Sequence, residues 1–471
     1  MTGEAAFSVR VEEALDNARL RENFRGAMDE LIRKRLDHFR DERLFHRLSG
    51  EGAAIRARAL ATLPDLLERL ERRLKQNGIE VHWAEDAAEA NEIVLAIIRE
   101  QGCDSVIKGK SMVTEEIGLN DFLESRNIDV LETDLGEYIL QLLSDRPSHI
   151  VMPAIHRSKE EIAELFARRF PQIPYSEDVD ELTATARKVL REAFRRAKVG
   201  ISGVNFAVAE TGTLCLVENE GNGRMCTTLP DVQIAVTGIE KVVEKLADVP
   251  PLLGLLTRSA TGQPITTYFN MVSSPRRPGE KDGPRAVHLV LVDNGRSAMF
   301  ARPDFQATLR CIRCGACMNH CPVYTRIGGH AYGATYPGPI GMIFAPQQEG
   351  LDRRGDMLSA STLCNACTEV CPVQIPIADL INRLRHERVT PGGSVPGAGS
   401  GRGWKEALLW RLWRWVYANP VRYQRILRLL AKHRERLPKS LRPWSDARAL
   451  PEVAEKSLHQ RLLEKGEGKR Q

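Results

Sequence analysis

Seven of the ten cysteines lie between Cys311 and Cys371. The run Cys311-Ile-Arg-Cys314-Gly-Ala-Cys317-Met-Asn-His-Cys321-Pro322 sets thiols two, two and three residues apart and ends in Cys-Pro. Thiolates at that spacing make the chain curl around one centre. The pattern matches the bacterial ferredoxin run, in which three thiolates hold one [4Fe-4S] cubane and the fourth reaches a second. Gly315 permits close backbone approach, and Pro322 turns the chain away after the last ligand. Zinc also takes Cys-x2-Cys pairs, but its sites rarely crowd four cysteines together and then repeat a Cys-Pro ending.

A second copy follows in Ser361-Thr-Leu-Cys364-Asn-Ala-Cys367-Thr-Glu-Val-Cys371-Pro372. Aligned on Cys-Pro, it has Ser361 where the first has Cys311, so seven thiols are available for two clusters. A crossed arrangement gives Cys311, Cys314, Cys317 and Cys371 to the first cluster, and Cys321, Cys364 and Cys367 to the second. A three-iron cluster, a four-iron cluster ligated by the Ser361 oxygen or by water, and a site completed by a remote residue all satisfy that count. Cys103, Cys215 and Cys226 stand in apolar or strand contexts and read as core residues.

Neither a G-x-G-x-x-G turn after a strand nor a G-x-x-x-x-G-K-[ST] loop occurs, which argues against a Rossmann dinucleotide site and a nucleotide triphosphatase. Two clusters without a visible two-electron centre describe a conductor of electrons. No catalytic residue is assigned. Two polar stretches can form a ligand site: Lys108 to Glu116, with cations placed between a strand and a helix, and Glu210 to Gly212 together with Glu218 to Arg224.

These residues must be positioned by the rest of a 471-residue chain that is 42% apolar and 27% charged, with a net charge of +5. Such a composition supports ordinary buried cores and is too weakly basic to argue for nucleic acid by itself. Residues 1–70 read as a helical extension, with Leu31, Ile32, Leu36 and Phe39 near helical spacing. From 71 to 300, short β-branched runs (NGIEVHWA, DSVIKGK, IDVLETD, HIVMPAI, AVHLVLVDNGR) alternate with helical segments. That alternation predicts an α/β layered domain with a largely parallel sheet. The stretch from Asn205 to Pro230 predicts hairpins laid on that sheet, with turns at Thr211 to Thr213 and Asn219 to Gly223.

Residues 301–389 carry the clusters, and the Gly- and Pro-rich 390–403 read as a flexible linker. The segment 404–471 is basic, helical and Trp-rich. Five of the six tryptophans stand at 404, 410, 413, 415 and 444, and residues 401–450 hold 13 Lys or Arg against 3 Asp or Glu. The stripe suits packing, a partner subunit or a membrane surface. The N-terminus lacks the apolar core of a secretory signal, and no run of about 20 apolar residues follows, so a cytoplasmic location is expected.

The motifs VIKGKSMVTEEIGLN, ETDLGEYILQL, AETGTLCLVENEGNGRM, CIRCGACMNHCPVY, GGHAYGATYPGPIG and LCNACTEVCPVQIP resemble the lactate utilization protein B family from about residue 15 onward. The resemblance implies an α/β domain similar to sugar-phosphate isomerase and CoA-transferase folds, then an α-helical ferredoxin-like two-cluster module and a helical tail. It also implies an iron-sulfur, electron-transfer subunit of an L-lactate dehydrogenase complex. Such a subunit works with companion lactate-utilization subunits in converting L-lactate to pyruvate. A peripheral inner-membrane or quinone-linked acceptor is a further expected partner, and nucleic acid is not, because the tail's aromatic and basic residues follow helical packing spacing without a recognition motif. The seven cysteines carry over as ligands. A self-sufficient iron-sulfur enzyme acting on a hydroxy acid and a redox-sensing module stand as alternatives.

Overall fold

A computed structural model of the chain describes residues 6–401, 403–433, 454 and 456–465. Among the described residues, ten strands form two sheets: β1 (Glu80–Ala84), β2 (Ser105–Lys108), β3 (Asp129–Glu132), β4 (Val199–Gly203), β5 (Phe206–Val208), β6 (Thr213–Glu218), β7 (Val232–Gly238), β8 (Val242–Val243), β9 (Tyr268–Val272) and β10 (Ala286–Val292). The larger sheet runs β1-β10-β7-β4-β2-β3 with every pair parallel. Every residue of β7 and all but the first of β10 are buried, as expected where both faces of a parallel sheet are covered. The helix Ala87–Glu100 starts at Asp86, whose carboxylate accepts from the Glu89 amide, and buries Ala90, Val94, Leu95 and Ile98. The mixed α/β layer read from residues 71–300 is therefore present.

A second, four-stranded sheet runs β8-β5-β6-β9. The hairpin across Thr211 to Thr213 forms as β5 and β6, but it belongs to this separate sheet. Asn219 to Gly223 is no hairpin turn. Gly221 caps the helix Asn222–Thr228, whose first amides are taken by the Glu218 carboxylate. HIVMPAI is no strand either: residues 149–155 form an irregular loop, because the His149 side chain captures the Val151 and Met152 amides that a ladder would need.

The N-terminal helices Phe7–Asp16, Ala18–His38, Glu42–Ala61 and Leu63–Gln76 share one core with the second sheet and the cysteine region. Phe24 is fully buried and meets Tyr324 edge-on at 5.6 Å. Of the apolar positions read at helical spacing, Leu31 and Phe39 are buried, while Leu36 faces solvent. Met1–Ser400 is one compact unit. Residues 390–400, expected as flexible linker, fold back within it. Val395 is buried, its amide and the Ser394 hydroxyl bond the Glu387 carboxylate, and Gly399 donates to the Glu387 carbonyl.

Gly401–Gln471 forms the other unit. Its helices Trp404–Tyr417 and Pro420–Lys432 bury no residue, and Trp413 stacks on Tyr417 at 4.1 Å. Trp444 lies outside the described residues. Among the described residues, no helix is long and apolar enough to cross a membrane.

Candidate metal centre and adjoining cavity

The two cysteine motifs fold alike. Arg313 and Leu363 both take positive φ (61° and 56°), as do Gly315 and Asn365 (77° and 68°), each of which begins a one-turn helix. The Arg313 amide donates to Cys311 Sγ at 3.3 Å, and at the equivalent place the Leu363 amide donates to Ser361 Oγ at 3.1 Å. Ser361 thus presents its oxygen where the first motif presents sulfur. Further amides reach sulfur from Tyr324 to Cys321 (3.4 Å) and from Ile375 to Cys371 (3.3 Å).

The thiols sort into two groups that cross the motifs. Cys314 lies within electrostatic reach of Cys371 and Cys311, and Cys371 within reach of Cys311. Cys317 joins them and also feels Cys367. Cys321 and Cys364 face each other, with Cys367 beside both. Burial first, then like neighbours, push Cys314 and Cys317 above the ordinary thiol range and Cys367 to about 12, while burial, against backbone amides that bond the sulfur, raises Cys321 and brings Cys371 to about 11. A metal must therefore displace protons to bind, and crowded soft donors with amides aimed at sulfur fit an iron-sulfur cluster. Cys103 is half-buried, and Cys215 and Cys226 are buried; all three stand apart from these groups.

Cations and an imidazole surround the first group. Arg35 is buried within reach of Cys314 and Cys371 and stacks over Phe39 and Phe45. His149 Nδ1 accepts from the Val151 and Met152 amides, both at 3.1 Å, so its proton is on Nε2, which donates to Asn319 Oδ1 at 2.9 Å. Burial lowers this imidazole to about 4. A Cβ on Gly315 would stand 3.2 Å from the ring, so glycine serves here for space as well as for its φ.

A buried ion network joins this region to the sheet. Arg296 makes a bidentate pair with Glu116 (2.8 and 2.7 Å) and donates to Glu240 at 2.5 Å. Tyr336 donates to Glu116 at 2.7 Å. Burial alone would raise Glu240, but Arg296, Lys241 and Arg313 outweigh it and hold the carboxyl at about 2. A Cβ on Gly238 would fall 2.1 Å from Glu240 Oε2, so the pair requires glycine there. Arg56 donates to the carbonyls of Glu240, Val242, Leu309 and Arg310, tying a third segment to both others.

A cavity of about 400 Å³ opens where β2, β4 and β7 end, the crevice at which open parallel sheets usually hold ligands. Gly109, Lys110, Ser111, Glu218, Glu220, Asn222 and Gly223 line it, together with Lys241, Arg313 and Tyr336. Both polar stretches singled out in the sequence thus contribute, with exceptions. Lys108 is fully buried and bound to Glu132 (2.7 Å) and Glu115 (3.2 Å), so it offers an anion nothing. Glu210 to Gly212 lie outside the lining. Burial, then Asp134, raise Glu220 to about 7. Arg313 escaped notice as a mere spacer inside its cysteine motif, and Tyr336 as part of GGHAYGATYPGPIG. Lys241 and His149 carry no sequence signal.

The LUD domain family matches residues 67–292, and a 4Fe-4S dicluster domain matches 307–375. The Lactate utilisation protein B C-terminal family matches 383–467. Lactate utilization protein B of Bacillus velezensis is 44% identical over 395 residues, covering 84% of this chain and 83% of its own. This chain belongs to the lactate utilization protein B family. The Bacillus subtilis member is 42% identical over 395 residues, covering 84% of this chain and 82% of its own. A relative in Escherichia coli K12, named an uncharacterized electron transport protein, is 43% identical over 392 residues, covering 82% of this chain and 81% of its own. For the family member in hand, the mixed α/β domain, the dicluster region and the helical C-terminus follow one another as the sequence indicates.

Proposed function

We propose that the chain is the iron-sulfur electron-transfer subunit in the oxidation of L-lactate to pyruvate, working with companion lactate-utilization subunits that exchange electrons with it. The observation that carries this reading is the sorting of seven thiols into two groups, each drawing on both motifs. Cys311, Cys314, Cys317 and Cys371 hold one [4Fe-4S] cluster in this reading; Cys321, Cys364 and Cys367 hold a second, with Ser361 Oγ at its remaining corner. Clusters bound there supply one-electron transfer. The amides of Arg313, Tyr324 and Ile375 draw charge from the ligating sulfurs, and Arg35 adds a positive field, so both favour the reduced state. The names carried by the relatives support the lactate and electron-transport assignments.

In the same reading residues 71–300 are a sugar-phosphate isomerase/CoA-transferase-like layer, 301–389 the cluster module, and 404–471 a docking segment for a partner subunit or an acceptor at the inner membrane face. The test is to purify the protein anaerobically and assay it alone and with the companion subunits. Alone, it should be brown, hold about seven or eight iron atoms and reduce no dye with L-lactate; with the companions, dye reduction should appear. Stoichiometric zinc without visible absorption would sink the cluster assignment, and lactate-dependent reduction by the lone chain would make it an enzyme in its own right.

A further inference from the structure

The cavity at the sheet's carboxyl edge has a charge pattern that the electron-transfer reading does not use. Its acidic groups already have partners. Glu218 accepts from the Gly223 and Arg224 amides at 2.6 Å each, Glu220 from the Leu135 amide at 3.1 Å, and Asp134 from the Glu137 amide at 3.1 Å. Its cations do not. The Lys241 side chain is buried and has no ion pair or hydrogen bond among the described residues. Arg313 has a side chain 9% exposed, lies over Tyr336 at 3.9 Å and Phe344 at 4.5 Å, and reaches Glu240 at only 3.6 Å through Nη2. Its Nη1 is buried without a partner.

We propose that this cavity binds the carboxylate of a small organic acid, with Arg313 and Lys241 as its anchoring cations. Glu240 is the carboxylate shared among these groups and is already committed to Arg296 at 2.5 Å, so Lys241 and Arg313, which repel each other, share only what it has left. Placed between them, a carboxylate gains charge-assisted hydrogen bonds from a planar fork and an ammonium. Ile150, Leu216, Val217 and Leu256 supply apolar wall for the acid's carbon skeleton. At roughly 30 Å³ per water, about 400 Å³ is room for some 13 waters, so a three-carbon acid enters with water and larger acids also fit.

Counterbalancing cluster thiolates is the competing use for these cations. Arg56 serves as a contrast: it is also within reach of Cys311, yet it is satisfied by four carbonyls and does not line the cavity. A cation placed only for the cluster has no need of an unpartnered nitrogen beside an open space. Arg313 also sits between ligand positions Cys311 and Cys314, so an acid held there lies beside the first thiol group.

The proposal goes beyond the electron-transfer reading and stands without it. It is tested on the full chain, purified anaerobically, by calorimetric titration with L-lactate, pyruvate, neutral lactamide and inorganic phosphate, with visible spectrum and iron content recorded for every sample. Saturable binding of L-lactate or pyruvate is expected, at least tenfold tighter than lactamide and at least tenfold weaker in Lys241→Met with the spectrum unchanged. Failure of both acids to bind, equal binding of lactamide, binding of phosphate in place of the acids, or undiminished binding by K241M would overturn it. Should K241M lose its iron, the lactamide comparison on the unaltered chain decides alone. An iron-free protein that still binds the acids would sink the cluster reading and leave this site; an intact spectrum without binding would do the reverse.

Discussion

The two cysteine motifs share a backbone and a pair of buried thiols each, and differ in what lies around their first turn. In the first, Cys314 and Cys317 are buried beneath His149, the N-terminal helices and the ion network, beside a cavity. In the second, Cys364 is exposed, Leu363 is 38% exposed and a serine stands in for one thiol. Local spacing therefore dictates how a motif coils, while its surroundings dictate which partner it can meet. A buried site beside a cavity suits exchange with a small molecule, whereas an exposed site suits exchange with another protein's surface.

The largest effect expected concerns the crossing itself. Cys371→Ser should behave like Cys314→Ser, removing about half the iron and the first cluster's signal, although Cys371 lies in the second motif. Cys364→Ser should remove the other half. If Cys371→Ser instead matched Cys364→Ser in electron spin resonance, each motif would serve its own cluster and the comparison would need redrawing.

Removing the cover from the first region should come next. Phe24→Ala strips a fully buried ring from Tyr324 and should cost about 3–5 kcal/mol in denaturant unfolding, with faster loss of the first cluster. Loss from the second cluster alone would mean that burial does not distinguish the two.

A smaller effect separates them by oxidant. Brief exposure to air should yield a three-iron signal from the exposed second site, and Ser361→Cys should suppress it, because its side chain already occupies the fourth position of the motif. A signal that persists in S361C would place the missing ligand elsewhere. Least of all should change on ending the chain at Ser400, where the first compact unit stops: iron content and melting are expected to stay put while lactate-dependent reduction with the companions falls. Ending it at Gly393 should destabilise the unit, since that cut also removes the buried Val395.

Cysteine spacing made the two matching coils legible because each coil is a matter of neighbouring residues. Four of the six parallel strands were equally plain, β10 above all, since a run such as AVHLVLV has no use except between two covered faces. The loop at 149–155 deceived, because its β-branched residues look like a strand and the histidine that captures its amides gives no local sign. The cavity was half visible: its glycines and carboxylates form recognisable stretches, but Lys241 and Arg313 come together only through the pairing of β7 with β4 and the docking of the cysteine turn. Residues 390–400 misled for the opposite reason, their composition promising freedom that Val395 and Glu387 remove.

Arg56 has a consequence for how the protein is made. Its guanidinium grips carbonyls 253 and 254 positions further along the chain, at Leu309 and Arg310. At about 5–20 residues per second, a ribosome needs on the order of 10–50 s to deliver those partners. Throughout that interval the leading helices wait with an uncovered apolar face, and the growing chain is most open to chaperones and to aggregation.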